Sequence, residues 1–531
     1  MSKQGLSWQQ FCDFFWYNSE LEMSIDFSRM NISPEYIEQM TPSLKKALAE
    51  MKDLEGGSIA NLDENRMVGH YWLRTPELAP QDEFANAIND CNQQIDEFVK
   101  GIHDGKIKPS HALKFTHFIL IGIGGSALGP QLVSDALSSS QDKMQAHFID
   151  NTDPNGIDRL IEQLGNNLKE TLVLIISKSG GTKETRNGML EIQRAYEKQS
   201  LDFAKHAVAV TGEGSPLDKK AKDMGMLATF PMWDWVGGRT SLFSAVGMLP
   251  ASLQGIDINA LKKGATLMDH CTRHEEPQKN PATLLALAWY HAGEGRGTKN
   301  MVVLPYKDRL LLLSRYLQQL IMESIGKEVD RQGRIVKQGL TVYGNKGSTD
   351  QHAFVQQLRD GSNDFFATFI EIKQERTTPI FEVEDSITSG DYLLGFLFGT
   401  REALAEKGHP SLTISLEQFS PKELGMLIAL YERTVGIYAS LIDINAYHQP
   451  GVEAGKKAAN SFLELQKQFL QFLQKYPKQL FDIPTIAEKL DATKQIDALF
   501  FIAEHLRANG RILSSQEKNP LQKKYQFITT K

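Results

Sequence analysis

The sequence has 531 residues, which is long enough for more than one domain. Charged residues make up 23% and hydrophobic residues 41%, as in ordinary globular proteins, and the formal net charge of −7 argues against a general nucleic-acid-binding protein. No secretory segment and no uncharged apolar stretch of ~18 residues is present, so we expect no membrane association. The cysteines Cys12, Cys91 and Cys271 form no CxxC pair, which indicates neither a zinc cluster nor a disulfide framework and favours the reducing cytoplasm.

Residues 1–112 are predicted to form a mostly helical segment that packs on the larger of two domains. Four aromatic residues near its start recur at helical spacing, which favours a core-facing helix over an aromatic cofactor site: Trp8, Phe11, Phe15 and Trp16. Ser33 followed by Pro34 is typical of a helix start. The polar stretches 62–66 and 70–74 are expected either to face another domain or to form a surface helix.

From residue 115 the pattern changes to short apolar runs separated by helical patterns. The runs are 117–121, 146–149, 171–176, 207–210 and 227–230. Such an alternation predicts a five-stranded parallel sheet covered by helices on both faces. We assign it to a smaller domain, residues 113–250.

A second series follows within residues 251–515, the predicted larger domain. Its strands are expected at 301–304, 340–343, 365–371 and 412–414, and its helices at 309–326, 386–406 and 421–440. The chain is predicted to be helical again from residue 452 and to end in a polar tail, 516–531, that frays. The fold class is therefore α/β, with two helix-flanked parallel sheets and helical N- and C-terminal extensions.

The first predicted strand ends in a glycine-rich turn that leads into a helix. Backbone N–H groups and the helix dipole make such a turn an anion site, and Ser126 stands where an N-cap hydroxyl would. The spacing Gly122-x-Gly124-x-x-Ala127 also fits a dinucleotide fingerprint, with Asp150 as the ribose-binding acid. A tight turn without a ligand is the third interpretation.

The third predicted strand runs into a loop rich in hydroxyls, Ser177–Thr182. Its Ser and Thr hydroxyls, with Lys178 and two glycines, are typical of a phosphomonoester site. The alternative is helix capping by Ser179 or Thr182, with Glu184 completing a capping box. Because capping needs a single hydroxyl, phosphate binding is favoured, which argues for a sugar phosphate rather than a dinucleotide in the first turn.

Two charged residues are candidates for the chemistry. Arg239 follows Gly237-Gly238 after the fifth strand and could stabilise negative charge on an oxygen; the alternative is an ion pair at a helix start. Glu323 shares a helix face with Tyr316 and Gln319 among apolar neighbours and could act as a general base; the alternative is a solvated carboxylate.

Two further residues are candidates for proton transfer. His352 follows a glycine-rich turn, and histidine is the natural proton shuttle near neutral pH, although a structural histidine is the alternative. Lys456 lies in the first turns of a predicted helix, where the dipole disfavours a cation, so its position suggests a functional role.

Together these stretches resemble the phosphoglucose isomerase family. Six motifs occur in the family's order: Ile121-Gly-Ile-Gly-Gly-Ser126-x-Leu-Gly-Pro130, Ser177-Lys-Ser, Gly237-Gly-Arg239, Met322-Glu323-Ser-x-Gly-Lys327, Gln351-His352-Ala-Phe and Gln449-x-Gly-Val-Glu-x-Gly-Lys456. They span residues 121–456, most of the chain. Three features depart from the family pattern: Ile325 replaces the usual Asn, Thr240 replaces an aromatic residue, and Ser179-Gly-Gly-Thr182 is richer in glycine than the commoner loop.

The resemblance implies two sugar-isomerase-type domains, a homodimer, and no metal or organic cofactor. It implies the reversible isomerisation of glucose 6-phosphate and fructose 6-phosphate, a step of glycolysis and gluconeogenesis, by ring opening and cis-enediolate proton transfer. By motif, Glu323 is the enolising base and Arg239 the enediolate stabiliser. His352, donated by the neighbouring subunit, and Lys456 open the ring. The implied substrate cradle is Gly125, Ser126, Ser177, Lys178, Ser179, Thr182, Gln319 and Gln449.

Two other functions remain open at this stage. A non-catalytic sugar-phosphate-binding protein of the same fold would keep the hydroxyl loop but would not need Glu323, His352 or Lys456. An NAD-linked oxidoreductase rests on the glycine fingerprint alone, and the hydroxyl-rich second loop counts against it.

Overall fold

The computed structural model describes residues 6–528, apart from the side chains of residues 452–454. The chain divides into two compact units, the first ending at His448 and the second beginning at Gln449. The first unit contains both large sheets, and the predicted α/β class is confirmed. Across the described residues, no helix combines the length and apolar character that crossing a membrane requires.

One sheet has five strands, all parallel, as the apolar runs predicted. In spatial order they are Gln145–Ile149, His117–Ile121, Thr171–Ser177, Ala207–Thr211 and Ala228–Pro231. Side chains alternate between two apolar clusters: Phe118 and Leu120 pack on one face, and Ile119 and Ile121 on the other. Burial on both faces explains why these strands are continuous apolar runs.

The second sheet has six strands. In spatial order they are Phe15–Asn18, Met23–Arg29, Ser411–Leu416, Phe365–Ile372, Asn300–Pro305 and Val342–Tyr343. The last four pair in parallel, as predicted, and the first two are antiparallel. A short hairpin, Lys327–Val329 with Ile335–Gln338, and another, Glu382–Glu384 with Ile387–Thr388, lie outside the two sheets.

The helices surround these sheets. In the first unit they are Trp8–Asp13, Pro34–Glu55, Asp82–His103, Leu128–Leu137, Pro154–Leu164, Lys183–Lys198, Pro216–Met224, Ala245–Gln254, Ile258–Thr272, Pro281–Ala292, Leu313–Leu317, Val355–Asp360, Ser389–Ala405 and Pro421–Leu441. The predicted helices 386–406 and 421–440 are confirmed. The predicted helix 309–326 is not a single α-helix, because a π-helical turn, Gln318–Glu323, follows Leu313–Leu317.

The N-terminal segment differs from the prediction. Two strands contribute to the second sheet, so the segment is not simply helical. Trp8 is 77% exposed and Phe15 lies on a strand with 38% exposure, so the aromatic spacing did not mark a core-facing helix. The stretch 70–74 is buried rather than a surface helix. Its backbone forms turns, and Trp72 Nε1 donates a hydrogen bond to the carbonyl oxygen of Glu55.

Five charged residues form a buried group that we call the ionic cluster: Glu55, Arg74, Asp269, Glu432 and Arg433. Arg74 Nε lies 2.7 Å from Asp269 Oδ2, and the side chains of both residues are fully buried. Arg433 Nη2 lies 2.7 Å from Glu55 Oε1. The cluster joins three helices to the buried stretch that carries Arg74.

The second unit contains the helices Pro450–Lys475, Ile483–Lys489 and Ile496–Ala508. Within the predicted polar tail the described residues include a short strand, Tyr525–Phe527. Tyr525–Phe527 pairs with Ile512–Ser514, and the Tyr525 side chain is buried in the apolar cluster of this unit. The buried side chain of Tyr525 and the partly buried side chain of Phe527 pack this strand against the apolar cluster.

Candidate active site

The glycine turn after the strand His117–Ile121 forms a short 3₁₀ turn, Gly124–Ser126, before the helix Leu128–Leu137. Gly124 has a φ of +59°, a conformation that favours glycine. A Cβ at this position would also lie 2.9 Å from Gln319 Nε2. The N-cap position is occupied by Ala127 and not by Ser126, so the hydroxyl of Ser126 does not cap the helix.

The backbone of the glycine turn packs directly against the backbone of the Arg239 loop, Gly237–Thr240. A Cβ at Gly125 would lie 2.0 Å from the carbonyl oxygen of Gly238, so this approach requires glycine. Ser241 Oγ donates a 2.8 Å hydrogen bond to the same oxygen. The two loops that sequence analysis identified separately are therefore one structural unit.

Arg239 is buried, and three hydrogen bonds fix its guanidinium. Nη1 donates to Ser324 Oγ and to the carbonyl of Ala446, both at 2.7 Å, and Nη2 donates to the carbonyl of His448 at 3.1 Å. Burial lowers the pKa of Arg239 and nearby Glu323 opposes this shift, but arginine stays charged at neutral pH. The arrangement provides a fixed positive charge in a nearly dry environment.

Glu323 lies at the end of the π-helical turn. Its Oε2 accepts a 3.1 Å hydrogen bond from Gln319 Nε2 and lies 3.5 Å from Arg239 Nε. The carboxylate is 22% exposed, so it keeps access to a ligand. Gln319 thus connects Glu323 to Gly124, and the predicted residues Gly125, Arg239, Gln319 and Glu323 come together. Tyr316 does not join them, because it is buried among apolar side chains.

The hydroxyl loop follows the strand Thr171–Ser177. Ser177 Oγ donates to Thr182 Oγ1 at 3.2 Å, and Gly181 N donates to Ser179 Oγ at 3.3 Å. Thr182 is the N-cap of Lys183–Lys198, yet its side chain makes no capping hydrogen bond. The capping interpretation therefore fails, and the hydroxyls of Ser177 and Thr182 lie together at the N-terminus of a 16-residue helix, where an anion is favoured.

Lys178 does not point its ammonium at this loop. Its Nζ donates to the carbonyls of Asp234 and Val236, both at 3.0 Å, and lies 3.7 Å from Asp234 Oδ1. Burial lowers the pKa of Lys178, while Asp234 opposes the shift. Lys178 therefore ties the hydroxyl loop to the segment that leads into Arg239.

Three further predicted residues come from other segments of the chain. His352 is exposed at the end of a 3₁₀ turn, Thr349–His352, and within the described chain neither Glu323 nor Arg239 has a hydrogen bond or ion pair with it. Gln449 and Lys456 belong to the second unit, where Gln449 precedes the helix Pro450–Lys475 and Lys456 is exposed on it. The motif between them includes residues 452–454, whose side chains are outside the described structure.

Asp150, the acid of the dinucleotide interpretation, has two side-chain partners. Asp150 Oδ2 accepts a 2.9 Å hydrogen bond from Gln131 Nε2 and lies 3.2 Å from Arg315 Nη2. In the part of the chain that the structure describes, no group of three or more His, Cys, Asp or Glu side chains could hold a metal ion.

Sequence reasoning gave no role to Lys327, although it quoted this residue within a motif. Lys327 is buried four residues after Glu323, and burial together with Arg239 lowers its pKa to about 7. The local signal was Gly326-Lys327, three and four residues after the candidate base, a turn that folds the lysine back onto the helix end.

Comparisons with known proteins agree with the geometry. A family model for phosphoglucose isomerase matches residues 26–472. A glucose-6-phosphate isomerase of Synechococcus sp. (strain JA-3-3Ab) is 57% identical over 508 residues, 95% of each chain, and one of Geobacter sp. (strain M21) is 54% identical over 510 residues, 96% of each chain. The crystal structure of a glucose-6-phosphate isomerase from Chlamydia trachomatis D/UW-3/Cx is 25% identical, with a TM-score of 0.78 over 87% of this chain and 92% of that chain. The chain therefore belongs to the phosphoglucose isomerase family.

Proposed function

We propose that this protein is an aldose–ketose isomerase that interconverts glucose 6-phosphate and fructose 6-phosphate in glycolysis and gluconeogenesis. The observation that carries the proposal is the Glu323 carboxylate, partly exposed and held 3.5 Å from the buried guanidinium of Arg239. The family membership and the activity named for the relatives that are 54–57% identical support it.

Glu323 acts as the base. It removes the proton from C2 of the open-chain aldose and returns it to C1, while a hydroxyl proton moves from O2 to O1. The intermediate is a cis-enediolate whose negative oxygen lies near Arg239. A preorganised positive charge in a dry site stabilises such an oxygen more than water does. Gln319 holds the carboxylate through its 3.1 Å hydrogen bond.

The hydroxyl loop binds the phosphate of the substrate. Ser177, Ser179 and Thr182 supply hydroxyls, and the free N–H groups at the start of the helix Lys183–Lys198 add donors. Gly125 and Ser126 of the glycine turn, with Lys178, Gln319 and Gln449, complete the cradle. The contacts of Lys178 with backbone carbonyls support a structural contribution to this cradle.

Ring opening is assigned to His352 and Lys456, with His352 donated by the partner subunit of a homodimer. The exposure of His352 supports this, since its own chain does not use it at Glu323. Next to it, an apolar surface is exposed on the Glu382–Glu384 hairpin and the helix Ser389–Ala405. It comprises Ile380, Phe381, Val383, Tyr392, Leu394, Phe396 and Phe398. Several large apolar side chains exposed on one hairpin and one helix favour a protein interface here.

Gln351 connects this surface to the histidine. Its Nε2 donates a 3.0 Å hydrogen bond to the carbonyl of Phe396, so a subunit seated on the helix would hold the preceding turn in place. We also place the enzyme in the cytoplasm, because all three cysteines are free. The chemistry proposed uses side chains alone, and we expect full activity without an added cofactor.

A coupled assay tests the function. Purified protein is given fructose 6-phosphate without nucleotide, and the glucose 6-phosphate formed is followed with an auxiliary dehydrogenase added separately. We expect turnover with the 6-phosphates and almost none with unphosphorylated glucose. Tight substrate binding without turnover would instead indicate a non-catalytic sugar-phosphate-binding protein.

Subunit mixing tests the shared site. Inactive Glu323→Gln and His352→Ala proteins are exchanged, and mass photometry establishes that heterodimers form. One intact site should then appear per heterodimer, with its histidine from the Glu323→Gln chain and its glutamate from the other chain. Heterodimers without activity above either parent would contradict histidine donation.

A further inference from the structure

The turn that follows Glu323 folds a lysine back onto the end of the helix. Lys327 Nζ donates to the carbonyl of Glu323 at 2.7 Å and to the carbonyl of Ser324 at 2.8 Å. Glu323 carries the carboxylate, and the hydroxyl of Ser324 accepts a hydrogen bond from Arg239 at 2.7 Å. One ammonium therefore holds the backbone of the two residues that meet the guanidinium.

Gly326 makes this reversal possible. Its N–H donates to the carbonyl of Met322 at 2.8 Å, and a Cβ at this position would lie 2.7 Å from the same oxygen. The chain then enters the short strand Lys327–Val329. The last carbonyls of a helix have no N–H partners within the helix, so a donor brought back to them fixes the terminal turn.

The surroundings of Lys327 are charged on several sides. Arg239 repels its ammonium, whereas Glu323 and Asp63 attract it. His448, whose backbone carbonyl binds Arg239, also faces it, since Lys327 contributes to lowering the pKa of His448. Burial is the largest influence on Lys327. Burying an ammonium is costly even when carbonyl oxygens accept its hydrogen bonds, which favours a role for Lys327 beyond solvation of the helix end.

We propose that Lys327 is a positioning residue for the isomerase reaction: its two hydrogen bonds fix the turn that carries Glu323 and Ser324, and so set the distance between the Glu323 carboxylate and Arg239. The inference rests on the proposed function. Lys327 does not touch the substrate, and it acts through the base and through Ser324. Its loss leaves the phosphate loop, and therefore most substrate binding, in place.

The first experiment separates positioning from binding. Lys327→Met should lower kcat about 10- to 100-fold, because a displacement of about 1 Å at a reacting group costs roughly this much. The Michaelis constant should change less than about threefold, since the phosphate contacts remain. Lys262→Met is the matched control. Lys262 is a half-buried lysine outside the site, and its Nζ donates a 2.7 Å hydrogen bond to Asn92 Oδ1.

The second experiment uses pH and does not depend on the fold of the methionine variant. Because the pKa of Lys327 is lowered to about 7, its charge is present below this pH and is lost above it. In the wild-type protein kcat should fall on the alkaline side as the amine loses its charge. Lys327→Arg keeps a cation at all these pH values, so the alkaline decline should move to higher pH.

The results decide between three cases. A loss of kcat with an unchanged Michaelis constant in Lys327→Met, and a shifted alkaline limb in Lys327→Arg, support positioning. Wild-type kcat in Lys327→Met, or an unshifted limb in an active Lys327→Arg, overturns it. A wild-type protein that binds the 6-phosphates without turnover overturns the proposed function instead, and the two failures are thereby distinguished.

Discussion

Two buried groups of charges in the first unit are built differently. In the ionic cluster, Arg74 and Asp269 are fully buried and lie 2.7 Å apart. In the proposed active site, Glu323 is 22% exposed and lies 3.5 Å from Arg239, which donates its hydrogen bonds to Ser324 and to backbone carbonyls. In the ionic cluster, each charged side chain is paired with one of opposite charge. In the site, neutral groups hold Arg239, and the Glu323 carboxylate is incompletely paired.

This difference in pairing distinguishes charges that stabilise the fold from the carboxylate that we propose to react. A tightly paired buried ion has little remaining attraction for anything else, and removing its partner destabilises the fold. A loosely paired carboxylate beside a fixed cation can exchange a proton with a substrate while the cation stabilises the product of that exchange. We therefore expect substitutions in the two groups to affect stability and turnover in opposite proportions.

The largest effect is expected for Glu323→Gln. The amide keeps the shape of the side chain but cannot take a proton, and general base catalysis contributes about 10²–10⁴-fold. Turnover should fall at least this far while the Michaelis constant and the thermal midpoint stay close to wild type, as measured by the coupled assay and by calorimetry. Glu328→Gln, an exposed carboxylate on the following strand, is the control and should behave as wild type. Unchanged turnover in purified Glu323→Gln would remove the assignment.

Arg74→Met should have the opposite profile. It leaves Asp269 and Glu432 buried without their partner, and breaking a buried pair costs about 3–5 kcal/mol of unfolding free energy. Denaturant unfolding at one fixed protein concentration measures this loss. Arg359→Met is the control, because it breaks an exposed pair with Asp360 and should cost less than about 1 kcal/mol. An unchanged midpoint for Arg74→Met would show that the cluster does not hold the fold.

The hydroxyl loop tests whether binding can be separated from chemistry. Replacing Ser177 and Thr182 together by Ala should raise the Michaelis constant at least about tenfold, because each hydrogen bond to a charged group contributes roughly 1.5–3 kcal/mol. The value of kcat at saturation should change less. Ser140→Ala removes an exposed hydroxyl away from the loop and serves as the control. A normal Michaelis constant in the double variant would place phosphate binding elsewhere.

The smallest effect concerns pH and the ionic cluster. Burial raises the pKa of Glu432 to about 7, against the opposing influence of Arg74 and Arg433 and with support from Asp269. Between the unfolded and folded pKa values the native state binds the extra proton, so this group's contribution to stability is lost as pH rises from about 5 to 7, by at most about 1.4 kcal/mol per pH unit. Glu432→Gln should flatten that slope in unfolding measured across pH 5–8. If the unfolding free energy of Glu432→Gln falls with pH as steeply as that of the wild type, Glu432 is not the source of this pH dependence.

Sequence patterns predicted the parts of the fold whose signal is local. The strand at Thr171–Ser177 is a continuous apolar run, and a parallel sheet buried on both faces requires such runs. The strand Met23–Arg29 was missed although its residues alternate between apolar and polar, because the aromatic spacing before it favoured a helix. Its place beside Ser411–Leu416 depends on residues almost 400 positions away, which no local pattern contains.

The candidate site also has parts that local sequence patterns predicted and parts that they did not. Glu323, Arg239 and the hydroxyl loop have signatures in their own sequence neighbourhoods. The π-helical turn at Gln318–Glu323 has none that we could read, and the function of Lys327 depends on where two carbonyls point after the chain reverses at Gly326. The capping role expected for Ser126 failed because the chain inserts a 3₁₀ turn before the helix. Hydrogen-bond geometry at element ends is the level of detail at which sequence reasoning stopped.

The contact between Gly125 and Gly238 has a consequence for how this site can evolve. Their separation is fixed by backbone atoms in contact, since a Cβ at Gly125 would lie 2.0 Å from the carbonyl oxygen of Gly238. The smallest available substitution adds a whole methyl group, so mutation cannot widen this joint by small increments. Adaptation to a larger or differently shaped sugar must therefore proceed through side chains near this contact, such as Thr240, while the spacing of the two loops stays constant. The contact between Gly125 and Gly238 is therefore a constant part of the site, and the side chains around it are the part that can vary.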